Sequence, residues 1–209
     1  MLRDSAYWDE FYSLEHDEIK EPSKFAKFIF NNFLRNKNKA SLIEFGCGNG
    51  RDSLYFNAKG IDVVAIDGSH IAIENLQKQN QKASWICADF TAPLNLKDKF
   101  DICYSRFTLH AIDDIAELGL IKNVKNLLKP SGLFVVEARS INDDKFGVGK
   151  AVGEREFISD GHYRRFIDPD IFKSNLIANG FKVISIEQSN QFAPTPGQNC
   201  VCIRVIASL

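Results

Sequence analysis

After residue 40, short apolar runs alternate with segments of helical periodicity. This alternation predicts a parallel sheet covered by helices on both faces, with right-handed crossover connections. The expected strands are Leu42–Phe45, Asp62–Ile66, Ser84–Ala88, Phe100–Arg106, Gly132–Ala138, Phe181–Gln188 and Val201–Ile206. The expected helices are Arg51–Lys59, Ile71–Gln79, Ile115–Leu128 and Pro169–Ala178.

The end of the chain carries a different kind of connection. No helical pattern separates the last two expected strands, which are joined by the proline- and glycine-containing segment Ala193–Gly197. A connection of this kind predicts a hairpin, and the hairpin adds an antiparallel strand to the otherwise parallel sheet.

The residues before position 40 follow another pattern. Apolar side chains at helical spacing predict an amphipathic helix over Ser23–Asn36. The segment that precedes this helix is aromatic and acidic. We expect its aromatic side chains, Tyr7, Trp8 and Tyr12, to fold over a ligand site.

Length and charge limit the class of protein. The 209 residues suit a single domain, with residues 1–40 as a helical lid or extension and residues 41–209 as the core. Lysine and arginine total 26 against 27 acidic residues, which argues against a broad nucleic-acid-binding face. No run of about 18 apolar residues is present, so no membrane span is expected. Met1–Lys20 is too polar and acidic to be read as a signal peptide.

Cysteine usage indicates the compartment. The cysteines match no zinc-binding spacing, and their odd number favours free thiols in a reducing environment. We therefore expect a cytoplasmic protein without a metal centre. The five residues are Cys47, Cys87, Cys103, Cys200 and Cys202.

The segment Ile43–Asp52 contains a glycine-rich turn. Its sequence, Ile-Glu-Phe-Gly-Cys-Gly-Asn-Gly-Arg-Asp, takes an apolar strand through three glycines at alternate positions into a helix. Glycines let the backbone turn sharply and approach a ligand, with N–H groups at the helix start facing it. A dinucleotide fingerprint would have its third glycine at position 51, where this chain has arginine. Taken alone, the turn fits a structural bend as well as a ligand site.

Two aspartates favour the ligand site. Asp67 follows the second expected strand and Asp89 follows the third. A carboxylate at the first position can accept hydrogen bonds from both ribose hydroxyls, and one at the second can accept from an adenine amino group. Either residue alone is more often a helix cap or a solvated loop residue. Together, after the glycines, they indicate a nucleoside pocket at the carboxyl edge of the sheet.

The combination of these elements resembles the class I S-adenosylmethionine-dependent methyltransferases, and within them small bacterial enzymes that act on small molecules. The matching segments are Glu44–Gly50, Asp67, Ala88–Phe90, Phe100–Arg106 and Leu127–Phe134. The resemblance implies an α/β, Rossmann-like three-layer sandwich with a seven-stranded, mostly parallel sheet and an antiparallel last strand. It also implies S-adenosylmethionine as the methyl donor and S-adenosylhomocysteine as the product.

The resemblance also implies a cofactor site. The glycine turn would hold the methionine part, Asp67 the ribose and Asp89 the adenine, and the end of the fourth strand would lie near the sulfonium. Aromatic side chains of the extension would contact this cation, although core packing explains them equally well. The expected cofactor contacts are Tyr7, Trp8, Glu44, Gly46, Cys47, Gly48, Asn49, Asp67, Gly68, Asp89, Phe90, Ser105 and Arg106.

Residues beyond the fourth and fifth strands are candidates for the acceptor side. Methyl transfer needs an aligned nucleophile and, for a weak nucleophile, a base. His110 and His162 are the candidate bases, although a packing or capping histidine is the more common role at the first position. The expected acceptor contacts are Tyr12, Arg139, Tyr163, Arg164 and Arg165. The paired arginines suit a phosphate or carboxylate, but a solvated charged loop is an equal alternative for their segment.

Two further features bear on the acceptor. The stretch Asn142–Gly161 shows no clear strand or helix pattern and is interpreted as a mobile flap. No Asn/Asp-Pro-Pro-aromatic motif follows the fourth strand, so a nucleic-acid base is not the expected acceptor. A ribose or protein target is not excluded by that absence.

The sequence is compatible with three functions. The favoured one is methyl transfer to oxygen or nitrogen of a small, anionic metabolite or glycan precursor that contains phosphate or sugar. The second is a non-catalytic S-adenosylmethionine-binding regulatory module. The third, a nicotinamide dehydrogenase, is disfavoured by the glycine spacing and by the lack of a second substrate domain.

Overall fold

The computed structural model describes residues 5–14, 21–37, 39–79, 83–194 and 196–209. Its helices are α1 (Ser5–Ser13), α2 (Lys24–Ile29), α3 (Arg51–Ala58), α4 (His70–Lys78), α5 (Asp114–Leu127) and α6 (Pro169–Ala178), with a π-helical turn at Phe30–Leu34 and a 3-10 turn at Leu109–Ala111. Its strands are β1 (Ser41–Phe45), β2 (Asp62–Asp67), β3 (Ser84–Cys87), β4 (Phe100–Arg106), β5 (Leu128–Arg139), β6 (Lys150–Ala151), β7 (Glu156–Ser159), β8 (His162–Arg165), β9 (Lys182–Ser189) and β10 (Cys202–Ser208).

Seven strands form the central sheet in the order β3-β2-β1-β4-β5-β10-β9. The pairs from β3 to β5 are parallel, whereas β10 is antiparallel to both β5 and β9. The Rossmann-like class and the antiparallel last strand are therefore confirmed. Because the chain leaves β1 for β2 on one side and later places β4 on the other, the strand order reverses at β1. A cleft at the carboxyl ends of the strands is expected at such a point.

Apolar side chains fill both faces of this sheet, which gives three layers. On one face, α5 and α6 bury residues such as Leu120, Val124 and Phe172 against the strands. On the other face, α2, α3 and α4 contribute buried residues such as Phe25 and Phe56. Both faces are covered because parallel strands carry apolar side chains on both sides.

Helix ends follow local chemistry. The carboxylate of Asp168 accepts hydrogen bonds from the N–H groups of Asp170 and Ile171 at the start of α6, and Gly180 ends that helix region with a φ of +92°. The helix expected over Ser23–Asn36 begins as predicted, with Ser23 as its cap. It is then divided, because the π-helical turn replaces the regular hydrogen-bond pattern after Ile29.

The interpretation of Asn142–Gly161 as a flap without regular structure is wrong. β6 and β7 lie within this stretch, and β7 pairs with β8 in a small antiparallel sheet. A phenylalanine cluster packs this sheet against the domain, with ring-centroid distances of 5.4–5.9 Å among Phe146, Phe157 and Phe166. His162–Arg165 is accordingly a strand rather than a loop.

Two expectations from composition concern the chain as a whole. All five cysteines are free thiols, as predicted. Within the described ranges, no helix has the length and apolar character needed to cross a membrane. His16 lies outside the described residues.

Gly119 tests the packing of α5. A Cβ at this position would lie 2.1 Å from the carbonyl oxygen of Thr91, so the helix contacts backbone there. Replacing glycine by alanine in a helix normally stabilises it by up to about 1 kcal/mol. We expect Gly119→Ala to lower the free energy of unfolding by about 1–3 kcal/mol instead, because the methyl group has no space.

Urea unfolding measures this effect. Lys122→Ala, an exposed substitution in the same helix, is the control and is expected to change the free energy by no more than about 0.5 kcal/mol. A Gly119→Ala variant as stable as the native chain would show that α5 does not pack on Thr91 as described.

Candidate functional site

The cleft at the carboxyl ends of β1, β2 and β4 has two compartments. The apolar compartment, about 90 Å³, is lined by Gly46, Asp67, Gly68, Ser69, Phe90, Thr108 and Ala111. The polar compartment, about 420 Å³, is lined by Phe11, Glu44, Cys47, Gly48, Asn49, Arg51, Asp52, Arg106 and His110. Trp8, Tyr12, Gly46 and Phe107 line both.

The glycine turn packs closely against Tyr12 of α1 and against Thr108, which follows β4. Gly46, Gly48 and Gly50 all have left-handed φ angles, +75°, +54° and +75°. A Cβ on Gly46 would lie 2.6 Å from Oγ1 of Thr108, and a Cβ on Gly48 would lie 2.3 Å from the Tyr12 hydroxyl oxygen. Glycine is therefore required both by the backbone conformation and by the neighbouring side chains.

Asp67 ties the end of β2 to the glycine turn. Its Oδ2 accepts a hydrogen bond from the Gly48 N–H at 2.8 Å, and its Oδ1 accepts one from the Ser69 N–H at 2.8 Å. Burial raises the pKa of this carboxyl, and the backbone hydrogen bonds oppose that effect. Each carboxylate oxygen has a second lone pair that can accept from a ligand.

Two further carboxyls lie below the glycine turn. Asp52 accepts hydrogen bonds from the N–H and hydroxyl of Ser23 at 2.8 and 2.7 Å and from the Tyr104 hydroxyl at 2.8 Å. Glu44 accepts a hydrogen bond from the Ser53 hydroxyl. Burial, together with the negative charge of Asp52, raises the pKa of Glu44 well above its usual value. The pair gives the polar compartment an acidic end.

The end of β4 has an unusual backbone. Phe107 has a φ of +56°, a conformation that a bulky aromatic residue rarely adopts. Its N–H donates to the carbonyl oxygen of Glu137, and the guanidinium of Arg106 lies 4.2 Å from its ring centroid. Nε of Arg106 donates to the buried carboxylate of Glu137, which also accepts from Arg204. The strained residue lines both compartments.

Helix α1 is fixed to the cleft at three points. Asp9 accepts hydrogen bonds from the Ser69 hydroxyl at 2.6 Å and pairs with Nδ1 of His70 at 3.0 Å. Partial burial raises the pKa of Asp9, but the hydrogen bonds from Ser69, Ile71 and His70 leave it below the usual value. The Tyr12 hydroxyl lies against Gly48.

The third contact of α1 leads to the small sheet. The ring of Tyr7 stacks on His162 with a centroid distance of 4.8 Å, and Nη2 of Arg164 lies 3.0 Å from Nε2 of His162. Because arginine can only donate, Nε2 of His162 is the acceptor in this contact.

His110 lies at the cationic end of the polar compartment. Burial lowers the pKa of its imidazole well below the usual value, and the positive charges of Arg164, Arg139 and Arg106 act in the same direction. Its buried Nδ1 has no hydrogen-bond partner among the described residues. The neutral ring is able to accept a proton or a hydrogen bond from a ligand.

The remaining expected acceptor residues differ in position. Arg139 pairs with Asp143, with Nη1–Oδ distances of 2.8 and 3.0 Å. Arg165 is fully buried and paired with carboxylates on α5, so an acceptor in the polar compartment cannot contact it. Tyr163 is buried and shares the Arg165 face of β8, because side chains alternate along a strand. Tyr163 and Arg165 were expected to contact the acceptor, but neither side chain lines the cleft.

Six other expected residues are not among those that line the compartments, namely Tyr7, Asp89, Ser105, Arg139, His162 and Arg164. Ser105 is fully buried, and its hydroxyl finds no partner within the described part of the chain. Asp89 accepts hydrogen bonds from the N–H and hydroxyl of Thr91 at 2.9 and 2.6 Å, which shapes the turn before Phe90. His162 contacts α1 and Arg164 instead of the polar compartment. Within the described ranges, no cluster of three or more His, Cys, Asp or Glu side chains suits a metal ion.

Several lining residues were missed from the sequence. Phe107, Thr108 and Ala111 follow β4, and Arg51 and Asp52 begin α3. Their positions after a strand and after a glycine turn were the only available signal, since nothing in the residue types indicates a left-handed phenylalanine.

Comparison with known proteins identifies the family. The sequence model described as a methyltransferase domain matches residues 14–186. The chain belongs to this methyltransferase family. The predicted methyltransferase family is confirmed.

Relatives and solved structures agree with this family. The methyltransferase is 29% identical over 100 residues to a malonyl-[acyl-carrier protein] O-methyltransferase from Pseudescherichia vulneris, covering 47% of this chain and 39% of the relative. It is 28% identical over 107 residues to TehB, a probable S-adenosyl-L-methionine-dependent methyltransferase from Haemophilus influenzae, covering 49% of this chain and 37% of the relative. The match thus spans well under half the length of either relative.

The fold is shared with a solved methyltransferase. The glycopeptide N-methyltransferase MtfA, complexed with S-adenosyl-L-methionine, superposes with a TM-score of 0.66. The comparison covers 90% of this chain and 95% of that one at 16% sequence identity, so it shows the fold.

Phe107 provides a direct test of the strained turn. With a φ of +56°, alanine at this position keeps the left-handed strain, whereas glycine removes it. We expect Phe107→Gly to be more stable than Phe107→Ala by about 1 kcal/mol, the reverse of the usual order.

Urea unfolding of both variants measures the difference. Ala111→Gly, in the neighbouring 3-10 turn that lines the same cleft, is the control and is expected to lose about 0.5–1 kcal/mol. Equal stability of the two Phe107 variants would contradict the left-handed backbone.

Proposed function

We propose that this methyltransferase transfers a methyl group from S-adenosylmethionine to oxygen or nitrogen of a small anionic acceptor. The observation that carries the acceptor class is the charge balance around His110. Arg106 and Arg139 each have a carboxylate partner, Glu137 and Asp143. Arg164 makes no ion pair with any described residue, so an anion would balance its charge.

The residues of the cleft fit an S-adenosyl group. Asp67 lies at the apolar compartment with free lone pairs for ribose hydroxyls, and Phe90 offers an apolar surface for a base. The acidic end formed by Glu44 and Asp52 in the polar compartment suits an ammonium group. Gly46 and Gly48 have no side chains, so the backbone of the glycine turn is open to a ligand that spans the two compartments.

The bound donor would supply a methyl group that the acceptor's lone pair attacks, while the carbon–sulfur bond breaks and sulfur keeps its electron pair. Arg164 and Arg139 would orient the anionic group of the acceptor. The neutral imidazole of His110 would take the proton of an acceptor that carries one. Trp8 and Phe107, which line both compartments, would exclude water from the reacting atoms.

Helix α1 would act as the lid of this site. Its contacts with Gly48, Ser69 and His162 join the donor side of the cleft to the small sheet on the acceptor side. The lid would therefore have to move for the donor to enter and leave. We further propose a cytoplasmic location, which the five free thiols support.

Asp67 is the test of the donor site. Asp67→Ala should weaken S-adenosylhomocysteine binding by about 1–3 kcal/mol in calorimetric titration, because it removes a charged hydrogen-bond acceptor. Asp62→Ala, an exposed aspartate at the start of the same strand, is the matched control and should bind like the native chain. Equal dissociation constants for the two variants would remove Asp67 from the site.

Arg164 is the test of the acceptor class. Labelled S-adenosylmethionine, offered with panels of small phosphates, carboxylates and neutral alcohols or amines, should label anionic acceptors preferentially. Arg164→Ala should reduce kcat/KM for the best anionic acceptor by roughly 10–100-fold, since one charge-assisted hydrogen bond is lost. Its binding of S-adenosylhomocysteine should not change.

Lys150→Ala removes the same charge from an exposed position of the small sheet and serves as the control. Preferential labelling of neutral acceptors, or equal kinetics of Arg164→Ala and Lys150→Ala, would rule out the anionic acceptor.

A further inference from the structure

β8 presents its two arginines to opposite sides. Side chains alternate along a strand, so His162 and Arg164 share one face and Tyr163 and Arg165 share the other. On the first face, His162 stacks on Tyr7 of α1, and the charge of Arg164 acts on His110. The second face is buried, and Arg165 is the largest fully buried side chain of the described residues.

The guanidinium of Arg165 holds the turn that carries His110. Its Nε and Nη2 atoms donate to the carbonyl oxygen of Leu109, the first residue of the 3-10 turn, at 3.4 and 3.3 Å. The Ile112 N–H also approaches this carbonyl oxygen, at a longer distance of 3.5 Å. The buried carbonyl therefore depends on Arg165 for its hydrogen bonding.

Two carboxylates of α5 fix the guanidinium in turn. Nη2 of Arg165 donates to Oε2 of Glu117 at 2.6 Å, and Nη1 pairs with Asp114. Glu117 also accepts from Asn175 on α6 at 2.9 Å, and Asp114 also pairs with Arg155 at 3.0 Å. Only a planar guanidinium offers enough fixed donors for a carbonyl and two carboxylates at once.

The charges that face His110 come from three elements around this turn. Arg106 ends β4, Arg139 ends β5, and Arg164 and His162 belong to β8. A small displacement of the turn would change the distance from His110 to every one of them. A buried ion pair contributes little net stability compared with apolar packing, so a role in fixing geometry is the better explanation for Arg165.

We propose that Arg165 is a positioning residue that sets the place of His110 in the polar compartment. The proposal rests on the proposed function for the meaning of that place, since His110 is its acceptor-side base. Arg165 itself contacts no ligand. It acts through the Leu109 carbonyl, while Arg164, its neighbour, faces the acceptor.

The experiment follows the imidazole signals of His110 by NMR as pH is varied, with the signals assigned by their loss in His110→Gln. In the native chain His110 should stay neutral well below the usual imidazole range. In Arg165→Lys, the ammonium cannot hold both the carbonyl and the carboxylates, so the ring should gain water and its pKa should rise toward about 6.5.

Arg155→Ala is the matched control, because it removes an arginine from Asp114 without touching the Leu109 carbonyl. It should leave the His110 titration unchanged. Glu117→Gln, which weakens one anchor of Arg165, should give a smaller shift in the same direction, and it serves if Arg165→Lys does not fold.

The outcomes separate this proposal from the proposed function. An unchanged His110 titration in Arg165→Lys and Glu117→Gln, or an equal shift in Arg155→Ala, would overturn the positioning role. Titration with S-adenosylhomocysteine is measured on the same samples, and Arg165→Lys should bind it within about twofold of the native chain. Failure of the native chain to bind it would reject the proposed function, whatever His110 does.

Discussion

The hydrogen bond from the Gly48 N–H to Asp67 joins the ends of β1 and β2, and the geometry of the cleft depends on it. It holds the glycine turn in a left-handed path that leaves backbone exposed to the cleft. The same carboxylate accepts from the Ser69 N–H, and Ser69 caps α4 and donates to Asp9 of α1. The half-buried side chain of Asp67 thus connects the sheet, the glycine turn and, through Ser69, helix α1.

The two ends of the polar compartment have opposite charge character. Glu44 and Asp52 form the acidic end next to the glycine turn, and His110 lies at the end influenced by three arginines. A donor with an ammonium group and a sulfonium is complementary to the first end, and an anionic acceptor is complementary to the second. Under the proposed function, the donor would bind beside the two carboxylates and the acceptor beside the arginines, and the protein would have to align them for in-line transfer.

The main sheet was predictable because its strands and helices are encoded locally. Every expected strand of the large sheet corresponds to an observed one, since apolar runs, glycine turns and caps such as Asp168 act within a few residues. The small sheet was missed because β6 and β7 are two and four residues long, too short for a periodic signal.

The acceptor side was harder to predict for physical reasons. Neighbouring arginines at 164 and 165 look equivalent in sequence, yet strand alternation places Arg164 on the same face as His162 and buries Arg165 on the other. Only the pairing of β7 with β8 decides which is which. The left-handed Phe107 depends on tertiary packing in the same way, and so does the contact between Tyr7 and His162, which are far apart in sequence.

Calorimetric titration of the native chain with S-adenosylhomocysteine, run beside NADH, tests the central claim most directly. We expect micromolar binding of S-adenosylhomocysteine and no binding of NADH, because in the proposed site Asp67 would hold the ribose and the glycine turn would hold the methionine part. Binding of NADH alone, or of neither compound by well-folded protein, would contradict it.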